Sequence, residues 1–498
     1  MSRGGTTAWV LGDQLSHSNP ALGGADRVVV VESEAKLRSL PFHRQKLHLV
    51  LTAMRKFAAE LGERGIEVDY RRCGSLAEGL DEHRAAHEPA RVVALEPNSL
   101  GGRSLLKRLD VQLVPGTLFL THPDEFAEWA EGRKLLRMED FYRSQRRRHE
   151  VLMDGDEPAG GRWNYDPENR KPPPASTRPP RPYRPREDDI DQAVRRDLDR
   201  MDLDTFGEDG PRLWAASHEE AKRALGRFVE TRLADFGPWQ DAMLEGEPFM
   251  WHSMISPALN LGLLDPLDCV RAAEAAYRDG GAPIASVEGF VRQVIGWREY
   301  VWGMYWLEGA RWDRMNALRA DRELPEALWS GETDMRCISK TVSSLRETGY
   351  SHHIERLMIF GNLMLLTGTE PREAFDWFHG CFVDGYEWVM APNVLGMATY
   401  ADGGRMMSKP YAAGGRYVHR MSDHCGECRF RPDLRTGDEA CPFSAMYWDF
   451  LDRNQDRLAG NPRMKLPLRN LAGIDAEELG EIKARARDAR SELSRNSA

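Results

Sequence analysis

Length, composition and charge place this sequence among soluble proteins of more than one domain. The chain has 498 residues, of which 41% are hydrophobic and 29% are charged, and its net charge is −10. This length exceeds what one hydrophobic core supports, and the negative charge argues against indiscriminate binding to nucleic acid. No stretch has the apolar length of a membrane span, and residues 1–15 lack the pattern of a secretory signal. We therefore expect a cytoplasmic protein without membrane association.

The first part of the chain alternates strand and helix signals. Short apolar runs predict strands at residues 9–11, 28–31, 66–70, 91–95 and 118–121. The stretch from Arg44 to Arg64 predicts a helix that ends near Gly65. Strands separated by helices form a parallel, doubly wound sheet. Asp13 and Gln14 follow the first strand, at the edge where open α/β sheets bind ligands.

A basic, proline-rich stretch at residues 171–185 follows and predicts an extended connector, because its prolines exclude a helix or a central strand. Before it lies a basic cluster of Arg143, Arg146, Arg147 and Arg148. Local basic surface on an acidic protein is compatible with a groove that binds phosphates. A solvated helix face followed by a basic linker explains the same residues equally well.

After about Asp189 the patterns become helical. Ser286 is predicted as the N-cap of a helix from Val287 to Trp306, whose apolar stripe includes Phe290 and Val294. The expected fold class is a doubly wound α/β N-terminal domain plus an all-α C-terminal domain. The expected boundaries are 1–135 for the first domain, 136–195 for the connector and 196–498 for the helical domain.

Cysteine spacing indicates a metal site in the helical domain. Cys425, Cys428 and Cys441 form a C-x-x-C…C-P pattern, and Cys337 is a fourth candidate upstream. Close-set thiols in a reducing compartment usually bind metal rather than form disulfides. An iron–sulfur cluster and a structural zinc ion both take such ligands, and the spacing does not decide between them. The other three cysteines are better explained as small buried side chains.

Further motifs lie in the same domain. They are Ser-Met-Ile-Ser-Pro at 253–257, Trp-Arg-Glu-Tyr at 297–300, Gly-Tyr-Ser-His-His-Ile-Glu-Arg at 349–356, Asp-Gly-Tyr-Glu-Trp at 384–388, Pro-Asn-Val at 392–394 and Asp-Gly-Gly-Arg at 402–405. Together with the cysteines, they resemble the photolyase/cryptochrome family, and most closely its bacterial iron–sulfur branch of (6-4) photolyase-like proteins. The resemblance covers nearly the whole chain.

The resemblance implies a set of cofactors. FAD would bind the helical domain, a 6,7-dimethyl-8-ribityllumazine antenna would bind the N-terminal domain, and the four cysteines would hold a [4Fe–4S] cluster; Mg²⁺ is a further candidate. The implied FAD contacts are Ser253, Ile255, Ser256, Gln293, Arg298, Arg356, Asp384, Asn393 and Asp402. Asp13 and Gln14 would contact the antenna.

The resemblance also implies an activity. It is the light-driven repair of (6-4) pyrimidine–pyrimidone photoproducts in UV-damaged DNA, by electron transfer from excited reduced FAD to a flipped lesion. His353 is the first candidate for the proton donor and His352 the second. Tyr411 and Tyr417 would lie beside the lesion. A monomer is expected.

Photoreduction of the flavin would require an aromatic relay. Trp377, Trp329 and Tyr386 are the candidates, whereas Phe378 stands where some relatives have a tyrosine. The alternative function is a cryptochrome, an FAD-based blue-light receptor that signals without repair. A third interpretation, without the resemblance, is a zinc-stabilised nucleic-acid-binding protein.

Overall fold

A computed structural model describes residues 4–173 and 178–495. Residues 174–177 of the predicted connector lie outside the described residues, as do residues 1–3 and 496–498. The described chain consists of a parallel sheet near the N-terminus and a larger helical part. Among the described residues, none of the helices combines the length and apolar character required to cross a membrane.

The N-terminal sheet has five parallel strands. They are β1 (Thr6–Val10), β2 (Arg27–Ser33), β3 (Glu67–Cys73), β4 (Arg91–Leu95) and β5 (Gln112–Val114). Their order is β3-β2-β1-β4-β5, and β1 pairs with β2 on one side and with β4 on the other. Buried apolar side chains lie on both faces, as expected where helices cover a parallel sheet on both sides. The predicted parallel α/β architecture is confirmed.

Helices connect and cover these strands. They are α1 (Glu34–Leu37), α2 (Arg44–Glu63), α3 (Leu76–His87), α4 (Leu100–Arg108), α5 (Pro123–Ala130) and α6 (Met138–His149). The predicted helix at 44–64 is thus α2, and Gly65 (φ 79°) makes the left-handed turn into β3. Ser75 and Glu78 form a capping box at the start of α3. A small antiparallel hairpin follows α6, with β6 (Met153–Asp154) and β7 (Glu157–Pro158).

The strand predicted at Leu118–Thr121 is wrong. This segment has no regular structure, and β5 at 112–114 forms the edge of the sheet instead. The backbone N–H groups of Leu120 and Thr121 donate to the buried Glu299 carboxylate, at 2.8 and 3.0 Å. The apolar run therefore packs against the helical part, and the Glu299 carboxylate accepts these backbone N–H groups in place of a neighbouring strand.

The helical part begins at Asp189 and continues to the end of the described chain. Its α-helices are α7 (Asp189–Arg200), α8 (His218–Thr231), α9 (Leu233–Phe236), α10 (Ser256–Leu261), α11 (Pro266–Arg278), α12 (Ile284–Val291), α13 (Glu299–Glu308), α14 (Ala327–Ser330), α15 (Arg336–Thr348), α16 (His353–Glu355), α17 (Asn362–Thr367), α18 (Pro371–Cys381), α19 (Glu387–Met390), α20 (Gly415–Met421), α21 (Pro442–Leu458), α22 (Lys465–Ala472) and α23 (Ala476–Leu493). Short 3-10 helices occur at Pro20–Leu22, Ala159–Gly161, Asp166–Asn169, Gly309–Arg314, His424–Glu427 and Pro462–Met464. A shared apolar core joins this part to one face of the sheet.

Three helical runs of the described chain contain π-helical turns. These segments are Arg292–Arg298, Arg356–Gly361 and Ala391–Ala398. Each interrupts or adjoins an α-helix, so that residues after it change their direction around the helix axis. Such turns are rare and occur frequently at functional sites.

The predicted N-cap at Ser286 is wrong. Helix α12 begins at Ile284, two residues before Ser286, and Pro283 occupies the N-cap position. The Ser286 hydroxyl instead accepts the N–H of Gly237 at 3.0 Å and donates to the carbonyl of Ala234 at 2.8 Å. Its hydrogen bonds therefore tie α12 to the end of α9 rather than begin a helix.

Candidate active site

A cavity of about 990 Å³ opens among the helices and is the candidate active site. Its walls come from the segments at 236–260, 290–301, 350–358, 384–398 and 409–421. All three π-helical segments contribute to it, with Gln293, Arg298, Arg356 and Asn393 among the lining residues. The cavity is at the upper end of the range usual for small-molecule sites, about 300–1,000 Å³.

A polar network lies at one side of this cavity. The Ser256 hydroxyl donates to the Asp384 carboxylate at 2.7 Å, and the Arg356 guanidinium pairs with the same carboxylate at 2.9 Å. Arg356 also donates to the carbonyl of Ser351 at 2.6 Å, and the Asn260 amide donates to the carbonyl of Asp384 at 3.1 Å. The structure thus brings together three predicted FAD contacts from distant parts of the sequence.

The turn before α10 contributes Ser253 and Ile255 to the cavity lining. Met254 between them has a φ of 61°, in the left-handed region that side chains disfavour. A non-glycine residue in this region costs on the order of 1–3 kcal/mol and is held there by its surroundings. The turn is therefore a strained segment at the predicted cofactor position.

Arg298 connects the cavity to the N-terminal part. Its guanidinium is buried, pairs with Glu299 at 2.8 Å, donates to the carbonyl of Leu118 at 3.0 Å and lies 4.0 Å from the ring centre of Phe119. Burial raises the pKa of Glu299 to about 7. The segment that was predicted as a strand thus fixes the orientation of a cavity arginine.

The remaining predicted FAD contacts differ in their position. Gln293 and Asn393 line the cavity, and the Asn393 amide donates to the carbonyl of Val389 at 2.8 Å. Asp402 is not among the lining residues; its carboxylate accepts the N–H groups of Gly404 at 2.8 Å and Met406 at 2.6 Å. Its observed role is to organise the loop that follows the third π-helical segment.

The two predicted antenna contacts lie at the carboxyl edge of the sheet and do not line this cavity. The Asp13 carboxylate accepts the Asn98 amide at 3.1 Å, and the Gln14 amide donates to the carbonyl of Glu96 at 2.8 Å. Burial raises the pKa of Asp13. The side-chain oxygen of Gln14 (Oε1) is buried and has no hydrogen-bond partner among the described residues.

Three histidines gather at one end of the cavity. His353 lines it, with 44% of its side chain exposed, and its Nε2 lies 3.2 Å from a carboxylate oxygen of Asp241. His352 is buried and stacks on His252 with ring centres 4.8 Å apart. Burial lowers the pKa of both His352 and His252 well below the usual range, so both rings are neutral at pH 7.

Helix α16 begins at His353, and His352 precedes it in an extended conformation (φ −72°, ψ 166°). The two adjacent histidines therefore do not lie on one helix. Sequence reasoning also missed Asp241 and His252, which face them. A single acid and a single histidine carry no spacing signal, because only the fold brings them to residues about a hundred positions away.

Tyr411 and Tyr417 line the same cavity as His353. Burial raises the pKa of Tyr411, and it raises the pKa of Tyr417 to about 12. Both phenols therefore keep their protons and can donate hydrogen bonds at neutral pH. Exposed basic residues line the mouth beside them: Arg170, Lys409, Arg420 and Arg463.

The three predicted relay residues, Trp377, Trp329 and Tyr386, do not line the cavity. Trp377 is buried among the rings of Phe360, Phe378 and Phe382, with ring centres 5.0–5.7 Å away. Phe378 lines the cavity and contacts Trp377. Trp329 is half-buried against Phe206, and Tyr386 is half-buried after Asp384 and Gly385.

The four predicted metal ligands line a second, small cavity. Cys337 comes from α15, Cys425 and Cys428 from the turn at 424–428, and Cys441 from the start of α21. All four are free thiols. Burial, followed by the neighbouring thiols, raises the pKa of Cys337 well above its usual range and that of Cys425 to about 12. Without a metal these thiols would be protonated, and a metal would displace their protons.

Comparisons with known proteins match these observations. The family model described as deoxyribodipyrimidine photo-lyase-related protein matches residues 8–214. A protein named (6-4) photolyase from Agrobacterium fabrum is 42% identical over 495 residues, which cover 96% of this chain and 97% of that protein. An uncharacterized protein of Acanthamoeba polyphaga mimivirus is 31% identical over 109 residues, 22% of this chain and 81% of its own length.

A solved structure shows the same fold. The crystal structure of a bacterial class III photolyase from Agrobacterium tumefaciens superposes with a TM-score of 0.60 at 15% identity, over 99% of this chain and 98% of that one. At this identity the similarity shows the fold alone. The nearly complete alignment at 42% identity shows more: this chain belongs to the photolyase/cryptochrome family, in the group that contains a bacterial (6-4) photolyase.

Proposed function

We propose that this protein is a light-driven DNA photolyase that repairs (6-4) pyrimidine–pyrimidone photoproducts. The observation that carries the proposal is a single cavity that contains both the Ser256–Asp384–Arg356 network and the His353–Asp241 pair. The first supports a bound cofactor, and the second supports proton transfer to a substrate at the open end. The relative named (6-4) photolyase supports the same activity.

The cavity fits FAD. Its volume suffices for a dinucleotide, and buried polar atoms around it have no protein partner, among them Arg298 Nε and Gln240 Oε1. Buried polar atoms without partners are costly, so these atoms favour a polar ligand beside them. Ser253, Ile255, Ser256, Gln293, Arg298, Arg356, Asp384 and Asn393 would hold FAD, and Asp402 would shape the adjoining loop. When bound, FAD supplies the light-driven electron transfer.

His353 is the proposed proton donor. It is the exposed member of the histidine group, so its ring can reach a base turned into the cavity. Asp241 at 3.2 Å would stabilise the charged ring and orient it, as a general acid requires. His352 is neutral and buried, so its proposed role is to support the site through its stack on His252 rather than to supply a proton.

Tyr411 and Tyr417 would bind the flipped lesion. Their protonated phenols can donate to the carbonyl oxygens of a pyrimidine, and their rings present apolar faces to it. A damaged base is already poorly stacked, which lowers the cost of turning it out of the duplex. Arg170, Lys409, Arg420 and Arg463 at the mouth would bind the flanking phosphates without reading sequence.

The four cysteines would hold a [4Fe–4S] cluster. The four thiols line one cavity, so a single metal centre could take all of them as ligands. The resemblance to the iron–sulfur branch favours a [4Fe–4S] cluster over a zinc ion. Its proposed role is structural, because its ligands join α15 to α21.

The family resemblance implies further features. Residues 1–135 would form the antenna domain with ribityllumazine near Asp13 and Gln14, residues 136–195 the connector, and residues 196–498 the FAD domain. Trp377, Trp329 and Tyr386 would relay electrons to the flavin. Mg²⁺ would assist DNA binding, and the protein would act as a monomer in the cytoplasm.

A repair assay tests the main proposal. Purified protein is given DNA with a (6-4) photoproduct or a cyclobutane dimer, under blue light and in darkness. We expect light-dependent repair of the (6-4) lesion, its loss in His353→Ala with FAD still bound, and normal repair in His419→Ala, an exposed histidine of α20. A flavin-loaded protein that repairs neither lesion would overturn the proposal and favour the cryptochrome alternative.

A further inference from the structure

A cluster of two histidines and an aspartate lies at the edge of the N-terminal sheet, far from the proposed photolyase site in sequence. Asp69 comes from the edge strand β3, and His83 and His87 lie one turn apart on α3. A carboxylate oxygen of Asp69 is 2.6 Å from His83 Nδ1 and 3.3 Å from His87 Nε2. All three potential ligand atoms lie within 4.8 Å of one another.

The donor set suits a divalent transition metal. Two imidazoles and one carboxylate bind zinc in many proteins, with bonds of about 2.0–2.2 Å. Ligand atoms around a tetrahedral zinc ion lie about 3.3 Å apart, which follows from those bond lengths. The distance from Asp69 to His87 already has this value, and the distance from Asp69 to His83 needs to open by less than 1 Å. Residues four apart on a helix share one face, so both rings can approach one ion.

The residues around the cluster support such an ion. His83 Nε2 lies 2.9 Å from the hydroxyl of Thr7 on β1, which orients the ring with Nδ1 toward Asp69. Metal-binding histidines usually have such a partner on their second nitrogen. His87 is 21% exposed, which leaves a path for the ion and for a water ligand.

One neighbouring charge opposes binding. Arg71 donates to the same Asp69 oxygen at 2.7 Å and pairs with Glu82 at 3.0 Å. The second Asp69 oxygen can take over this hydrogen bond when the first binds a metal. The guanidinium will weaken the site relative to a closed structural zinc site, so the expected behaviour is reversible binding rather than copurification.

A second histidine cluster provides a contrast. Glu60 lies 2.8 Å from His17 and 3.1 Å from His218, but these two rings stack with centres 4.0 Å apart and planes only 22° apart. The second nitrogens of these two rings, His17 Nδ1 and His218 Nε2, are buried without a hydrogen-bond partner among the described residues, so nothing orients them as metal ligands. His83 has such a partner in Thr7, and the rings of His83 and His87 lie 37° apart with centres at 4.8 Å.

We propose that Asp69, His83 and His87 form a binding site for a Zn²⁺ ion that joins α3 to the edge strand of the sheet. The fourth position would be taken by water. This site is independent of the proposed repair activity and of the four cysteines, because its ligands all come from the N-terminal sheet and its helix.

Zinc binding to the full-length holoprotein tests the proposal. Protein with its flavin and iron is dialysed against ZnCl₂, and bound zinc per chain is measured together with the thermal midpoint. We expect the wild type to bind one zinc more than His87→Ala and to gain thermal stability with zinc, a gain that His87→Ala lacks. The matched control His218→Ala should behave like the wild type.

Two further measurements keep the result unambiguous. His87→Gln keeps a polar side chain of similar length. If this variant also binds one zinc fewer than the wild type, misfolding of His87→Ala is excluded as the cause of its lower zinc content. X-ray absorption at the zinc edge should show only nitrogen and oxygen ligands at about 2.0–2.1 Å. Equal zinc binding by the wild type and both His87 variants, or sulfur ligands at the bound zinc, would overturn the proposal.

Discussion

Gly415 should be essential for the cysteine site although it lies outside the cysteine motif. A methyl group built on Gly415 would lie 2.6 Å from the sulfur of Cys441, which is 0.8 Å short of the 3.4 Å at which ordinary contact begins. It would also meet the Ser444 hydroxyl at 3.1 Å. Gly415→Ala therefore cannot be accommodated unless Cys441 moves away from the position that faces the other three thiols.

The cost can be estimated. Overpacking of a core by a methyl group costs about 1–3 kcal/mol, and replacing glycine by alanine returns about 0.4–1 kcal/mol through the unfolded chain. The net loss of folding free energy is then on the order of 1–2 kcal/mol. The larger consequence is for the cluster, because displacement of one thiolate removes a quarter of its protein ligands. We expect Gly415→Ala to lose most of its iron.

Gly426→Ala is the matched control. Gly426 lies inside the C-x-x-C motif, yet a methyl group on it meets no atom within 4 Å, and its φ is not in the left-handed region. The assay is iron and acid-labile sulfide per chain in protein purified without oxygen, with the thermal midpoint alongside. Gly426→Ala should retain its iron. Full iron in Gly415→Ala, or equal loss in both variants, would refute the steric argument.

Three other predictions follow from buried or basic groups. Burial raises the pKa of the Glu355 carboxyl from 4.5 to about 8, so the folded state binds this proton more tightly than the unfolded state. The free energy of unfolding therefore falls by about 1.4 kcal/mol per pH unit as the pH rises from 4.5 to about 8. Glu355→Gln removes this slope, so the thermal midpoint of the variant minus that of the wild type should be larger at pH 8 than at pH 6. If this difference is the same at both pH values, the raised pKa of Glu355 is contradicted. Asp384→Asn leaves Arg356 without its charge partner and should lower the flavin-to-protein ratio after gel filtration several-fold, whereas an unchanged ratio would exclude Asp384 as a cofactor contact. Arg420→Ala should weaken binding to damaged and undamaged DNA alike and reduce the slope of log affinity against log salt by about one; an unchanged slope would show that Arg420 binds no phosphate.

The candidate site was predicted, through the family resemblance, where its residues stand in short motifs. Ser256, Arg356 and Asp384 each stand in a short motif, and the structure joins them in one network. The C-x-x-C pair indicated a metal centre in the same way. The strand at 118–121 was mispredicted because an apolar run has the same pattern whether it pairs in a sheet or packs against Glu299.

Other features have no local signal. The π-helical turns depend on which backbone carbonyl accepts each N–H, and tertiary packing decides this rather than residue type. The contact of Asp241 with His353 joins residues 112 positions apart, so no spacing rule can find it. The different surroundings of the two adjacent histidines also depend on the fold, because the burial of His352 and the exposure of His353 follow from where α16 begins.

The sequence by itself determined the chemistry available to this protein: its thiols, histidines, acidic and basic groups, and the alternation that produces a parallel sheet. Only the tertiary structure decided which of these groups meet, which are buried and which face the cavity. The physical reason is that side-chain reactivity depends on burial and on partners distant along the chain, and both arise when the helices pack. Asp69, His83 and His87 illustrate this, since three ordinary residues become a candidate zinc site only when α3 lies on β3.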